Sequence, residues 1–383
     1  MKNKLFAVVF LCVGLTSCGG APEPPKSQYG NISITSEPPN AQVYLDGKDT
    51  GKRTSCTLTN VSTGTHSLRL ELENYGRWEG SVEVKTDQTV NVSATLVAFK
   101  YEFVTKWGSK GIGAGQFDEP NGIDIDSSDS VYVVDINNNR IQKFTANGSF
   151  VTKWGGYGHG NGQFFAPSDI AIDVAGYAYV SDFMNYRIQK FTSSGSYINK
   201  WGSEGSGDGQ FQGLDGIAVD KAGYIYVTDG NSHRIQKFSS EGFLITKWGN
   251  FGSGDGQFAY PSGIAVDSSN YIYVSEGRNN RIQKFTSNWN FVTKWGEFGN
   301  GDGMFNWPSA ITVDNAGFIY VTDTRNDRIQ KFTSTGKFVT KWGTYGSGDG
   351  QFDKPVGIAA DSFGNIYVSD FGNNCIQKFR LGY

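Results

Sequence analysis

The sequence predicts an all-β chain whose larger part closes into a six-bladed β-propeller, and three observations carry that prediction. A tryptophan recurs at Trp107, Trp154, Trp201, Trp248, Trp295 and Trp342, each step being 47 residues. The 282 residues from Glu102 to Tyr383 make six such lengths without insertion or deletion. Within each length, four short apolar runs are separated by turns rich in Gly and Asn, which is the signature of strands. A repeat of this size buries its apolar face only against its neighbours, and four-stranded units arranged radially leave only short edges.

Residues 1–17 read as a secretory signal: Lys2 and Lys4 precede the apolar run Leu5 to Gly14, which is too short to cross a bilayer. Leu15-Thr16-Ser17-Cys18 resembles the bacterial lipobox, which implies cleavage before Cys18 and acylation of that residue. Gly19, in place of the Asp that favours inner-membrane retention, points to the outer membrane, so the expected address is extracytoplasmic and lipid-anchored. Residues 18–30, with Pro22, Pro24 and Pro25, form a stiff tether. Removing Lys2 and Lys4 takes the net charge from −3 to −5, and an acidic exported chain is a poor partner for nucleic acid. Cys56 and Cys375 remain, and spacing alone leaves both a bridge and two free thiols open.

From 31 to 97 the pattern is short and alternating: Ile32/Ile34, Val43/Leu45, Leu68/Leu70/Leu72, Val82/Val84 and Val90/Val92. Period two with turns at Pro38-Pro39-Asn40 and Asp46-Gly47 predicts half-buried antiparallel strands in a small sandwich. Ser36 to Gly47, followed by Gly64-Thr65-His66-Ser67-Leu68-Arg69-Leu70 and Tyr75-Gly76, resembles the PEGA domain, with Asn40 where that family usually has Gly. His66, alone between Thr65 and Ser67, reads as a solvated strand residue.

The propeller spans 101–383. One unit reads as strands Gly216 to Asp220, Tyr224 to Asp229, Arg234 to Ser239 and Phe243 to Trp248, the first an inner strand buried on both faces. Ile217-Ala218-Val219-Asp220, Ile225-Tyr226-Val227-Thr228-Asp229, Arg234-Ile235-Gln236-Lys237-Phe238 and Gly256-Gln257-Phe258 with Pro261 resemble the NHL repeat, a propeller family. The chain enters with a fourth-strand copy, Tyr101 to Trp107, and ends after a third-strand copy, Ile376 to Phe379. Pairing the two closes the last blade and leaves no open edge.

Most recurring residues have structural work. Phe117, Phe164, Phe211, Phe258, Phe305 and Phe352 fill the wedges between blades, each able to bury roughly 150–250 Å². Asp126, Asp173, Asp220, Asp267, Asp314 and Asp361 fix a turn by accepting a backbone hydrogen bond two residues on. Asp135/Arg140 and the equivalent pairs through Asp323/Arg328 form bidentate loop clamps, while Cys375 leaves Asp370 without its arginine.

Function is expected where copies differ. The loops from strand four to strand one, and from strand two to strand three, open on one face and carry Phe165, Phe183, Tyr186, His233, Tyr260, Arg278, Trp307, Arg325 and Phe371. Flat aromatics with amides and arginines suit a protein, peptide or cell-envelope glycan partner. The alternative is a metal-dependent lyase or hydrolase in the channel, since the resemblance extends to propellers of that kind. Against it, His159 and His233 sit in different loop types, no Ser-His-Asp set is present, and Asp124 and Asp169 alone make a thin ligand set. No cofactor motif stands out, because the Gly-rich loops lead into strands and not helices. A third reading makes both domains envelope spacers.

Overall fold

The structure, a computed structural model, describes residues 28–72 and 75–382. The signal, Cys18 and the tether as far as residue 27 lie outside the described residues. The chain divides into two compact units, Met1–Val97 and Ala98–Tyr383.

Among the described residues the first unit holds seven strands: β1 (Tyr29–Glu37), β2 (Gln42–Leu45), β3 (Lys48–Arg53), β4 (Cys56–Ser62), β5 (Gly64–Glu71), β6 (Trp78–Val84) and β7 (Thr89–Thr95). They form two sheets, ordered β4-β1-β7 and β3-β2-β5-β6. The inward positions of the alternating runs, among them Ile32, Ile34, Val43, Leu68, Leu70, Val82 and Val84, share one apolar core. Two strands escape the sequence pattern for physical reasons. β3 buries nothing apolar, and a register shift between Gly30 and Ile32 leaves the core residues of β4, Leu58 and Val61, three apart. The expectation of wholly antiparallel pairing is also corrected: β7 runs parallel to β1, because the chain crosses from the far sheet to reach the open side of β1. His66 is not solvated. Its Nδ1 lies 2.7 Å from Asp46 Oδ2 and its Nε2 2.9 Å from the Ser62 carbonyl, with 12% of its side chain exposed.

The second unit consists of six four-stranded antiparallel sheets in a β-propeller arrangement. Their first strands are Pro120–Ile125, Pro167–Ile172, Leu214–Val219, Pro261–Val266, Pro308–Val313 and Pro355–Ala360. These touch one another in order, and the last meets the first. The strand buried on both faces is the second of each sheet, such as Ile225–Asp229, and not the first. First strands such as Leu214–Val219 are partly open because their inner side faces an axial channel. The last sheet takes its fourth strand from the start of the unit: Lys100–Trp107 lies antiparallel to Cys375–Gly382, from Ile376 opposite Trp107 to Gly382 opposite Lys100. Pairing therefore runs three residues past the repeat itself. Tyr101 stacks on Trp342 at 4.2 Å, and its hydroxyl lies 2.7 Å from that of Tyr320.

The repeated motif Arg-Ile-Gln-Lys-Phe is explained side chain by side chain. Ile235 and Phe238 join the core. Lys237 lies over the Tyr224 and Tyr226 rings at 4.1 and 4.8 Å. Arg234 donates through Nε to Asp229 Oδ2, while its terminal nitrogens bond the carbonyls of Ser206, Gly207 and Gln210. The clamp is thus a single carboxylate bond plus three bonds to the Gly-rich loop, not a bidentate pair, because the loop brings its carbonyls to the guanidinium's other edges. Gln236 completes it with a bond to the Gln210 carbonyl. In the last sheet Cys375 cannot do this. There Lys106, on the closing strand, bonds the Ser347 carbonyl, and buried Asp370 keeps Asp353 N–H, Asn373 and Gln377 as donors.

Each turn aspartate accepts the expected backbone bond, as Asp220 does from Ala222 N–H, and its other oxygen takes the Tyr226 hydroxyl. Phe117 and its five equivalents are fully buried. Cys56 and Cys375 are both free thiols.

Candidate binding site at the channel mouth

Just before five of the six first strands, one residue takes a left-handed conformation: Glu119, Ala166, Tyr260, Trp307 and Lys354 have φ between 49° and 60°. Its N–H donates to a side chain of the preceding sheet, namely Asn374, Asn139, His233, Asn280 and Asp327 in turn. That bond between neighbouring sheets holds a conformation that bulky residues otherwise avoid. At two adjacent positions it carries large rings, Tyr260 and Trp307, whose centroids are 5.7 Å apart.

The Trp307 ring needs space, which glycine supplies. A Cβ on Gly277 would stand 3.0 Å from Trp307 Cε2, whereas one on Gly230 would stand 2.5 Å from Asp215 Oδ2 and in ordinary contact with Tyr260 Cε2. The other sheets place Ile136, Phe183, Thr324 or Phe371 there. The arginines next in sequence cover the rings: Arg278 lies 5.6 Å from the Tyr260 centroid and Arg325 4.4 Å from that of Trp307.

Beneath the rings is a cavity of about 220 Å³, walled by Asn121, Ser168, Asp169, Asp215, Ser262 and Ser309. It leads to a second space of about 210 Å³ between the first strands, and Asp169 borders both. Asp124 and Asp169 each reach across to the next first strand, accepting from Ile172 N–H at 2.7 Å and Ile217 N–H at 3.0 Å. First strands splay around an axis and cannot pair with each other, so these carboxyls satisfy amides that would otherwise lack a partner. Asp215 differs: its Oδ2 is buried with no hydrogen-bond partner. Burial pushes all three carboxyls up, Asp124 and Asp169 to about 7 and Asp215 to about 8. The Tyr260 hydroxyl beside Asp215 works against that rise, and the neighbouring Asp169 charge adds to it. Among the described residues no cluster of three or more His, Cys, Asp or Glu side chains is placed to hold a metal ion.

Of the residues singled out in the sequence, Tyr260, Trp307, Arg278 and Arg325 come together at this mouth. His233 touches it from behind, its Nδ1 accepting the Tyr260 N–H at 3.2 Å and its ring 4.9 Å from Phe251. It thus does what Asn139, Asn280 and Asn374 do in three other sheets. Phe165 packs with Tyr157 and His159, and Phe183 and Tyr186 pack against the core around Leu214. Phe371 is half-buried in its own loop. The wall residues Asp215, Ser262 and Ser309 escaped the sequence reading, although a signal existed. The position following the left-handed residue's proline, or its counterpart, reads Ser168, Asp215, Ser262 and Ser309, a recurring polar residue in an otherwise apolar run.

Residues 29–99 match the PEGA domain, and 117–144, 211–238, 258–285, 305–332 and 352–379 match the NHL repeat. No curated protein matches the chain. Among solved structures, a Bacteroides thetaiotaomicron protein of unknown function is 14% identical over 94% of this chain and 99% of its own, with a TM-score of 0.62. An auxiliary nutrient-binding protein from Bacteroides ovatus is 16% identical over 90% and 91%, with a TM-score of 0.56. Virginiamycin B lyase from Staphylococcus aureus is 17% identical over 74% of this chain and all of its own, with a TM-score of 0.51. At these identities the likeness shows the fold alone, so the chain is a PEGA domain followed by NHL repeats folded as a β-propeller.

Proposed function

We propose that the chain is a lipid-anchored, extracytoplasmic binding or scaffold protein that takes a glycan, peptide or protein partner on the variable-loop face, at the channel mouth. In this reading the six sheets are the blades of one wheel, closed by the N-terminal strand. The first unit is a small sandwich that follows the Cys18 anchor in the chain. The observation that carries the reading is the meeting of Tyr260, Trp307, Arg278 and Arg325 over a cavity of mixed polar and apolar wall. The same fold serves a nutrient-binding protein and a lyase, so the site and not the fold bears the weight.

Glycan and peptide arrays probed with the mature chain test the proposal. Binding that falls about tenfold or more in Trp307→Ala and Tyr260→Ala is the expected result. No binding above background anywhere would instead favour an envelope spacer.

A second reading, a hydrolase or lyase, draws on Asp169 and Asp215, carboxyls that titrate near neutrality in a channel. Metal analysis of the purified chain separates the two. A stoichiometric divalent ion, lost together with an activity, would replace the binding role.

A further inference from the structure

The mouth combines features that narrow its ligand. Aromatic and arginine occur together on the same two neighbouring sheets and on no others. Where these have Arg278 and Arg325, the remaining four carry Asn137, Met184, Asn231 and Gly372. Where these have Tyr260 and Trp307, they carry Glu119, Ala166, Gly213 and Lys354. Both arginines are exposed, and among the described residues neither forms an ion pair. On a chain of net charge −3, two adjacent guanidiniums left without carboxylates are groups held for a partner. A guanidinium lying on a ring is fixed in plane and keeps its N–H edges free, the arrangement that suits a planar carboxylate.

Resting on the reading of the mouth as a binding site, we infer that its ligand is an acidic saccharide. Its carboxylate sits between Arg278 and Arg325, and its ring enters the cavity that Tyr260 and Trp307 line. The cavity beneath favours a sugar over an acidic peptide. Its wall holds the Asp215 Oδ2, buried without a hydrogen-bond partner, which an apolar side chain placed there would leave unpaired. A ring hydroxyl would satisfy it. Its volume of about 220 Å³ is also below the roughly 300–1,000 Å³ of pockets that enclose drug-sized ligands, so it admits one small unit of a longer chain. Burial raises both carboxyls of this wall, Asp215 to about 8 and Asp169 to about 7, which lessens their repulsion of the ligand's carboxylate.

The test titrates the mature chain, by calorimetry and tryptophan fluorescence, with three probes: a hexuronate trisaccharide, its carboxyl-reduced neutral counterpart, and an acidic peptide of equal charge. The hexuronate is expected to bind roughly 10- to 100-fold more tightly than the neutral sugar, the range of a charge-assisted bond. That preference should shrink as salt is raised. Arg278→Gln with Arg325→Gln should erase the preference and leave weak neutral-sugar binding, with the thermal midpoint unchanged because both side chains are exposed. Equal affinity for charged and reduced sugars would overturn the acidic class while glycan binding at the mouth still stood. Binding of the peptide alone would overturn the saccharide but keep the site. Binding of none of the three overturns the inference, and the arrays then judge the broader reading separately.

Discussion

His66 and Arg234 show how a side chain's neighbours set its worth. The hydrogen bond that the His66 ring donates to Asp46 raises the His66 pKa above 6.5, aided by the Ser62 carbonyl, while the same bond lowers Asp46. The histidine's share of stability is therefore fully present below its unfolded pKa and is lost as pH rises through the raised folded one. The aspartate's share is present above its ordinary value and is lost as pH falls through the lowered one. The first unit should thus be firmest in the mildly acidic range between them. An NMR titration of the His66 ring should give a value above 6.5 that drops towards normal in Asp46→Asn; no drop would remove the pair from the account. Arg234 is a stronger case, because Asp229 is wholly buried. Truncating one partner of a buried pair costs about 3–5 kcal/mol. Arg234→Ala should show a loss of that order in urea unfolding, and a loss below about 1 kcal/mol would mean the loop holds without it. At this scale the sequence was legible for the pairing of Asp229 with Arg234, which a five-residue spacing suggests. It was not legible for the loop carbonyls that take the other guanidinium nitrogens, because they lie 24 to 28 residues away.

Among elements, the loops of the variable face repay comparison by position. Gly230 and Gly277 open the second-to-third loops of the two sheets whose neighbours present Tyr260 and Trp307. Large residues on one side of this contact meet small ones on the other, as Phe183 precedes Gly213 and Ile136 precedes Ala166 by the same 30 residues. Gly277→Val should push the Trp307 ring from its seat, since the space for even a Cβ is 3.0 Å. The expected outcome is a shift in tryptophan emission and weakened binding on the arrays, with a stability loss of about 1–3 kcal/mol because Gly277 is buried. An unchanged spectrum would show that the glycine does not seat the ring. Sequence reasoning found the two rings and the two arginines because they interrupt a strict repeat. It could not pair them, since which loop of one sheet meets which turn of the next depends on how the sheets are stacked. Asp215 stayed hidden for the same reason: a lone carboxyl in a strand announces nothing until the channel around it exists.

For the whole molecule, the two ends of the second unit share one sheet. Lys100–Trp107 supplies the outer strand that Cys375–Gly382 lacks, and Tyr101 anchors it against Trp342 and Tyr320. Removing residues 376–383 should strip that sheet of its third strand and release the N-terminal one, lowering stability across all sheets and not one alone. Hydrogen exchange checks this: protection should fall even in sheets far from the cut, and a loss confined to the last sheet would show that the ring does not depend on its clasp. The sequence by itself determined the strand content, the repeat of 47, the wedge-filling phenylalanines and the turn aspartates, because these depend on neighbours close in the chain or on a pattern stated six times. Only the tertiary structure decided that the second strands are the buried ones, that β7 runs parallel to β1, and that four scattered residues form one mouth. The physical reason is that a channel, a crossover and a site are made by strands far apart in sequence, whose side chains have no mutual spacing to read until the sheets are closed around an axis.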